Sequence, residues 1–99
     1  MLIVGGFFEV EPSERDAFIA SRLDSMRTSR AESGCLEYTV APDPLEPGRV
    51  VLFERWESQD ALDDHLAALR QAPRPSTPQI ALRSVSITVY DIAGERPLA

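Results

Sequence analysis

The seven residues from 50 to 56 constrain the fold of this chain more than any other segment. They are rich in β-branched and aromatic side chains and therefore predict a β-strand. Side chains of a strand point alternately to the two faces of its sheet, and here both sets are apolar: Val50, Leu52 and Trp56 on one face, Val51 and Phe53 on the other. A sheet built on this strand needs cover on both faces, because large apolar sheet faces are rarely left in water.

Strand and helix signals elsewhere in the 99 residues complete the order β-α-β-β-α-β. Period-two apolar patterns predict strands over residues 1–10, 35–40, 50–56 and 85–92, and apolar residues at helical spacing predict the two helices. This is the ferredoxin-like arrangement, an α+β fold with a four-stranded antiparallel sheet. We expect a single domain over residues 1–99, since a chain of this length has no room for a second core.

The first predicted helix has a start signal and a stop signal. Ser13 and Asp16, three residues apart, predict a capping box, and Gly34 predicts the stop. Between them runs an apolar stripe at helical spacing: Phe18, Ile19, Leu23 and Met26. In the preceding strand, the pair Gly5-Gly6 predicts a bulge or a close approach to the backbone.

The second predicted helix begins at Ser58, a favourable N-cap residue. Its apolar face is formed by residues spaced i, i+3, i+4 and i+7, namely Leu62, His65, Leu66 and Leu69. The proline-rich segment 73–78 predicts its end and an irregular connection. Two helices cover one face of the sheet, so a second copy of the sheet is the simplest cover for the other face. We therefore predict a homodimer through the sheet face.

Composition excludes several classes of partner and cofactor. A net charge of −6 argues against nucleic acid and against an acidic membrane surface. No apolar run is long enough to span a bilayer, and the start of the chain lacks the features of a signal peptide. The single cysteine, Cys35, fits a reducing compartment, so we expect a cytoplasmic protein. No metal-ligand signature, glycine-rich phosphate loop or Cys-x-x-Cys pair is present, so we expect no metal and no cofactor.

Two stretches of the sequence carry a family resemblance. Gly34-Cys35-Leu36-Glu37-Tyr38 opens the second predicted strand, and Glu54-Arg55-Trp56-Glu57-Ser58 leads into the second helix, followed by Ala61, Leu62 and His65. In this order and spacing they resemble the antibiotic biosynthesis monooxygenase (ABM) superfamily, over about residues 1–69 and 85–92.

The resemblance implies a dimeric α+β barrel with a small-molecule cavity between sheet and helices. It implies a cofactor-independent monooxygenase acting on a small aromatic, quinol-type or polyketide-type substrate. Some family members degrade haem instead, but their pattern needs a histidine later in the second helix, and this chain has only His65. The chain also lacks asparagine, the polar residue of better-understood oxygenases. An oxygen-independent isomerase or cyclase, or a non-catalytic ligand-binding dimer, therefore stays open.

Six residues are candidates for this cavity. His65 is the candidate catalytic base, because the ordinary histidine pKa suits proton transfer at neutral pH; the alternative is a core histidine held by a carboxylate such as Glu54. Trp56 and Glu54 share strand parity and should face the helices. Trp56 is then either a stacking wall or core packing, and Glu54 orients His65 or pairs with an arginine.

The remaining candidates are Arg22, Tyr38 and Tyr90. Arg22 either holds a ligand carboxylate or enolate or lies on a solvated flank of its helix. The two tyrosines either present hydroxyls to the cavity or pack as half-buried strand residues.

Overall fold

The ferredoxin-like fold is confirmed. The computed structural model describes residues 1–73 and 79–99. Its elements are β1 (Leu2–Glu9), a 3-10 turn (Pro12–Glu14), α1 (Arg15–Ser21), α2 (Leu23–Arg30), β2 (Cys35–Pro42), β3 (Arg49–Trp56), α3 (Gln59–Gln71) and β4 (Ser84–Asp91). The strands form one sheet in the order β2-β3-β1-β4, and all three pairings are antiparallel.

The two faces of this sheet have different surroundings. On one face, called the helix face here, Leu2 lies opposite Trp56 and Val4 opposite Glu54. This face and the helices bury the core: Leu2, Val4, Val10, Phe18, Met26, Val40, Val50, Leu52, Trp56 and Leu62. On the other face, called the open face, Val51 and Phe53 keep more than a third of their surface exposed. The strand parities predicted from the sequence are therefore correct.

The first helix departs from the prediction because it is broken at Arg22. The amide of Arg22 donates to the carbonyl of Ile19, and the hydroxyl of Ser21 donates back to the carbonyl of Phe18 at 2.6 Å. Such i to i−3 bonds tighten the last turn of a helix. The capping box is also wrong: Ser13 lies within the 3-10 turn, and α1 begins with no side-chain cap.

Glycine is required at two points. Gly6 has φ +152°, and a Cβ there would collide with the backbone carbonyl of Ser86 on β4. The predicted close approach is thus confirmed, and β1 pairs there without a register shift. Gly34 has φ +83° and packs under Ala61 of α3. It lies in the turn before β2, four residues beyond the end of α2 at Arg30.

The N-cap of α3 is as predicted, since the hydroxyl of Ser58 accepts from the amide of Ala61 at 3.2 Å. Leu62 and His65 are buried, whereas Leu66 and Leu69 on the same apolar face stay largely exposed. Of the predicted irregular connection 73–78, residues 74–78 lie outside the described residues. Within the described ranges, no helix is long and apolar enough to cross a membrane.

Strand β4 is the edge strand beside β1, and every one of its residues is exposed. Its side chains on the helix face are Val85, Ile87 and Val89, opposite Phe8, Gly6 and Val4. The contacts of α1, α2 and α3 with the sheet are concentrated on β2 and β3. An apolar strip of β4 is therefore left uncovered on the same face as the core.

Candidate functional site

His65 lies at the centre of a group of aromatic and titratable side chains on the helix face. Its side chain is 2% exposed. The ring packs against Trp56, with centroids 4.6 Å apart and planes tilted by 35°, and against Tyr38, with centroids 5.6 Å apart. The structure therefore brings together three of the residues predicted for the cavity.

A carboxylate fixes the orientation of the His65 ring. Nδ1 of His65 lies 2.8 Å from Oε1 of Glu32, a residue of the turn between α2 and β2. An ionised carboxylate can only accept a hydrogen bond, so with Glu32 ionised and the ring neutral, Nδ1 carries the proton and Nε2 presents its lone pair. The carboxylate at hydrogen-bond distance from the histidine is thus Glu32, whereas the sequence suggested Glu54 as an example.

Glu54 lies on the other side of the ring. Its Oε1 accepts from the indole N–H of Trp56 at 2.8 Å and is 4.0 Å from Nε2 of His65. Four ångströms is too long for a hydrogen bond, so Glu54 does not bind Nε2 directly. Burial raises the pKa of the Glu54 carboxyl, although the Trp56 hydrogen bond and His65 oppose the shift. The site thus holds two groups suited to proton transfer.

Tyr38 contributes a phenol to the same interior. Burial and, to a smaller degree, the charge of Glu54 raise the pKa of Tyr38 to about 12, against the opposing effects of Arg22 and the Ser29 hydroxyl. A phenol with a pKa this high stays protonated at neutral pH and can donate a hydrogen bond.

Arg22 lies at the junction of α1 and α2 and faces the sheet rather than solvent. Its guanidinium carbon is 4.9 Å from the ring centroid of Phe18 and 5.9 Å from that of Phe8. Its Nε is buried and has no hydrogen-bond partner among the described residues. The solvated flank considered from the sequence is therefore not what the structure contains.

Tyr90 is not brought to this site. It lies opposite Ile3 on the open face, with its ring over Gly5, and is 52% exposed. His65, Trp56 and Glu54 lie on the helix face, so the thickness of the sheet separates them from Tyr90.

A pocket of about 220 Å³ between α2 and α3 leads to the carboxylate partner of the histidine. Its walls include Ser29, Glu32, Ala68 and Leu69. Glu32, whose side chain is 23% exposed, therefore links buried His65 to solvent. A larger pocket, of about 330 Å³, runs along the outer edge of β2. We centre the candidate site on His65, because the titratable side chains meet there.

Thiol chemistry and metal binding have little support in the structure. Burial raises the pKa of the Cys35 thiol, which disfavours the reactive thiolate. In residues 1–73 and 79–99, no three histidine, cysteine or carboxylate side chains are grouped so that they could hold a metal ion.

Comparison with known proteins identifies the family of the chain. The sequence model of the family described as antibiotic biosynthesis monooxygenase matches residues 1–71. The chain belongs to this family. The match includes β1, the three helices, β2 and β3, and therefore all members of the His65 group.

One relative illustrates the likeness both in sequence and in structure. "Putative monooxygenase Rv0793" of Mycobacterium tuberculosis is 36% identical over 84 residues, covering 83% of this chain and 81% of that protein. The solved structure of Rv0793 superposes with a TM-score of 0.69 at 31% identity, over 97% of this chain and 98% of that one.

A third match is the crystal structure of a "putative antibiotic biosynthesis monooxygenase" from Deinococcus radiodurans. It has a TM-score of 0.76, covers 100% of this chain and 99% of that one, and is 19% identical, so it bears on the fold alone.

Sequence reasoning missed Glu32, the residue that holds the histidine ring. It lies in a turn, outside any periodic pattern, and meets His65 across 33 positions of the chain. One signal was available: Glu32 stands two residues before the Gly34 turn, which packs against Ala61, one helical turn before His65.

Proposed function

We propose that this protein is a cofactor-independent monooxygenase acting on a small aromatic, quinol-type or polyketide-type substrate. One observation carries the proposal: a buried histidine beside a tryptophan ring, with Nδ1 held by Glu32 at 2.8 Å and Nε2 4.0 Å from Glu54, beyond hydrogen-bond distance. Membership of the ABM family supports the same reaction class.

The proposed reaction begins with proton transfer. Nε2 of His65 takes the proton of a phenolic or enolic hydroxyl, and Glu32 stabilises the imidazolium that forms. The electron-rich substrate anion then reduces dioxygen and forms a carbon–oxygen bond, and the resulting peroxide anion takes the proton back from Nε2 of His65 to give a hydroperoxide. Loss of water from the hydroperoxide leaves one oxygen atom in the product as a carbonyl. Trp56 offers a flat surface for an aromatic substrate.

An oxygen-independent isomerase or cyclase is the second candidate. It is favoured by the placement of Glu54 and Nε2 of His65 4.0 Å apart. Two neighbouring groups of this kind suit the removal of a proton from one atom and its return to another. A non-catalytic ligand-binding protein is the third candidate, and the Glu32 contact, which serves equally well as core packing, is the observation in its favour.

The proposal includes a homodimer through the open face, a cytoplasmic location and one domain over residues 1–99. The dimer rests on Val51 and Phe53, apolar side chains left exposed on that face. The single domain rests on β4, which follows the family match yet pairs with β1 along its whole length. The location rests on a lone cysteine, which cannot form an internal disulfide.

Oxygen uptake with a panel of naphthols, quinols and polyketide phenols tests the function. We expect uptake with at least one of them, no turnover under nitrogen, and at least tenfold slower turnover for His65→Ala. Asp64→Ala, an exposed neighbour on α3, is the matched control and should behave like the unaltered protein. Turnover of the same substrate under nitrogen would favour the isomerase or cyclase.

A further inference from the structure

We infer that Arg22 and the neighbouring strip of β4 form a subsite for a ligand that carries a carboxylate on a compact apolar body. The subsite lies on the same face of the sheet as His65, and it rests on the proposed function in that its ligand is taken to be the substrate.

The guanidinium of Arg22 lacks the partner that other arginines of the chain have. Among the described residues, four arginines each have a carboxylate oxygen within 4.0 Å: Arg27, Arg49, Arg55 and Arg83. Nε of Arg22 is buried without a hydrogen bond. An arginine is always charged, and a buried charged donor without a partner is costly. A missing acceptor from a ligand would explain this arrangement.

The surroundings of Arg22 determine which acceptor fits. Phe18 and Phe8 lie against the guanidinium, with centroids 4.9 and 5.9 Å from its central carbon. Aromatic rings attract the charge of a guanidinium, but they do not replace oxygen acceptors for its N–H groups. A carboxylate accepts two of these parallel N–H groups with both oxygens. Among the described residues, no carboxylate oxygen lies within 4.0 Å of the Arg22 guanidinium, so no nearby carboxylate takes this role.

An apolar surface lies next to this charge on the same face of the sheet. Phe8 is directly opposite Val85 on β4, and Ile87 and Val89 continue the strip. These three side chains are 51%, 37% and 51% exposed. A contiguous exposed apolar strip marks a binding surface more often than chance. When the carboxylate of a ligand binds Arg22, the apolar body of that ligand would contact this strip.

Calorimetric titration with 3-phenylpropanoate and its primary amide tests the inference. The two probes share a body and differ in charge. We expect the acid to bind at least tenfold more tightly than the amide. Arg22→Gln should weaken the acid at least tenfold and leave the amide unchanged, and Arg22→Lys, which keeps the charge but loses the fork, should fall between. Arg27→Gln, with the same loss of charge at an exposed position of α2, should bind as the unaltered protein does.

A second variant separates the strip from the charge. Ile87→Ser should weaken acid and amide by a similar factor, about fivefold, because it removes apolar contact common to both. Equal binding of acid and amide, absence of acid binding, or an acid affinity unaffected by Arg22→Gln would overturn the inference. If Arg22→Gln does not fold, as judged by circular dichroism, Arg22→Lys and the acid-to-amide ratio of the unaltered protein decide.

The binding titration and the oxygen assay test the two proposals separately, so one proposal can be contradicted while the other stands. Turnover that depends on His65 but is limited to uncharged substrates, with no binding of the acid, would remove the carboxylate subsite alone. Binding of the acid through Arg22, with no oxygen uptake for any substrate, would remove the monooxygenase proposal alone.

Discussion

The residues on the two faces of the same sheet differ strongly in burial. On the helix face, Trp56 and Glu54 are buried together with His65, and burial raises the pKa of Glu54. On the open face, Val51 and Phe53 of the same strand remain exposed between charged pairs such as Arg55 with Glu37. The comparison teaches that cover by the helices distinguishes the two faces and is what raises the pKa of the Glu54 carboxyl. Helices cover the first face, and we propose that a second copy covers the other.

The largest difference between the faces should appear on truncation of their side chains. Trp56→Ala removes a fully buried ring and should lower the free energy of unfolding by about 3–5 kcal/mol. Val51→Ala on the open face should cost well under half of that in a monomer, because its side chain is already partly in water. Urea unfolding of both variants measures the difference. Equal losses at low protein concentration would contradict the assignment of the faces.

The second test changes the open face itself. Phe53→Asp places a charge where we propose apolar contact with a second copy, so the variant should sediment at half the mass of the unaltered protein. Phe53→Leu, which keeps the apolar surface, is the matched control and should still associate. An unaltered chain that sediments as a stable monomer would remove the dimer from the proposal.

Glu32→Gln tests the contact between Glu32 and His65 on the helix face. The amide keeps a hydrogen-bond acceptor but loses the charge opposite Nδ1 of His65. We expect a loss of about 1–2 kcal/mol in the free energy of unfolding and turnover about tenfold slower, with its pH optimum shifted. Glu57→Gln, exposed and close in sequence to α3, serves as the control. A Glu32 variant with unchanged kinetics and pH profile would leave that residue a structural role only.

The smallest expected effect is the dependence of stability on pH through Glu54. Because burial raises the pKa of Glu54 in the folded chain, the folded state holds this proton more tightly than the unfolded state. The unfavourable contribution of Glu54 to folding stability is absent below the ordinary glutamate pKa of 4.5, and it grows as the pH rises towards the pKa of the folded state. From pH 4.5 upward, the free energy of unfolding measured in urea should therefore fall less steeply with pH for Glu54→Gln than for the unaltered chain. Identical slopes would contradict burial as the cause.

Periodicity explains what could be predicted from the sequence. Alternation in β3 placed Trp56 and Glu54 on one face and Phe53 on the other, and the spacing of Leu62 and His65 on α3 placed the histidine inward. Those inferences depend only on the geometry of one element. The α+β order followed from the same patterns.

Contacts between elements could not be predicted from periodicity, because a periodic pattern describes only one element. Glu32 lies in a turn, and only the packing of that turn on α3 brings it to His65. The break at Arg22 leaves the apolar stripe of the first helix intact, so no pattern reports it. The face of Tyr90 depends on the register between β4 and β1, and that register places Val89, not Tyr90, opposite the buried Val4.

The central claim is that the helix face holds a histidine poised to accept a proton on Nε2. The chain has a single histidine, so the ring nitrogens of ¹⁵N-labelled protein can be observed by NMR without assignment. At neutral pH we expect a protonated Nδ1 and an unprotonated Nε2, and Glu32→Ala, which removes the acceptor, should abolish this preference. A ring protonated on Nε2, or two tautomers mixed as in free histidine, would contradict the account.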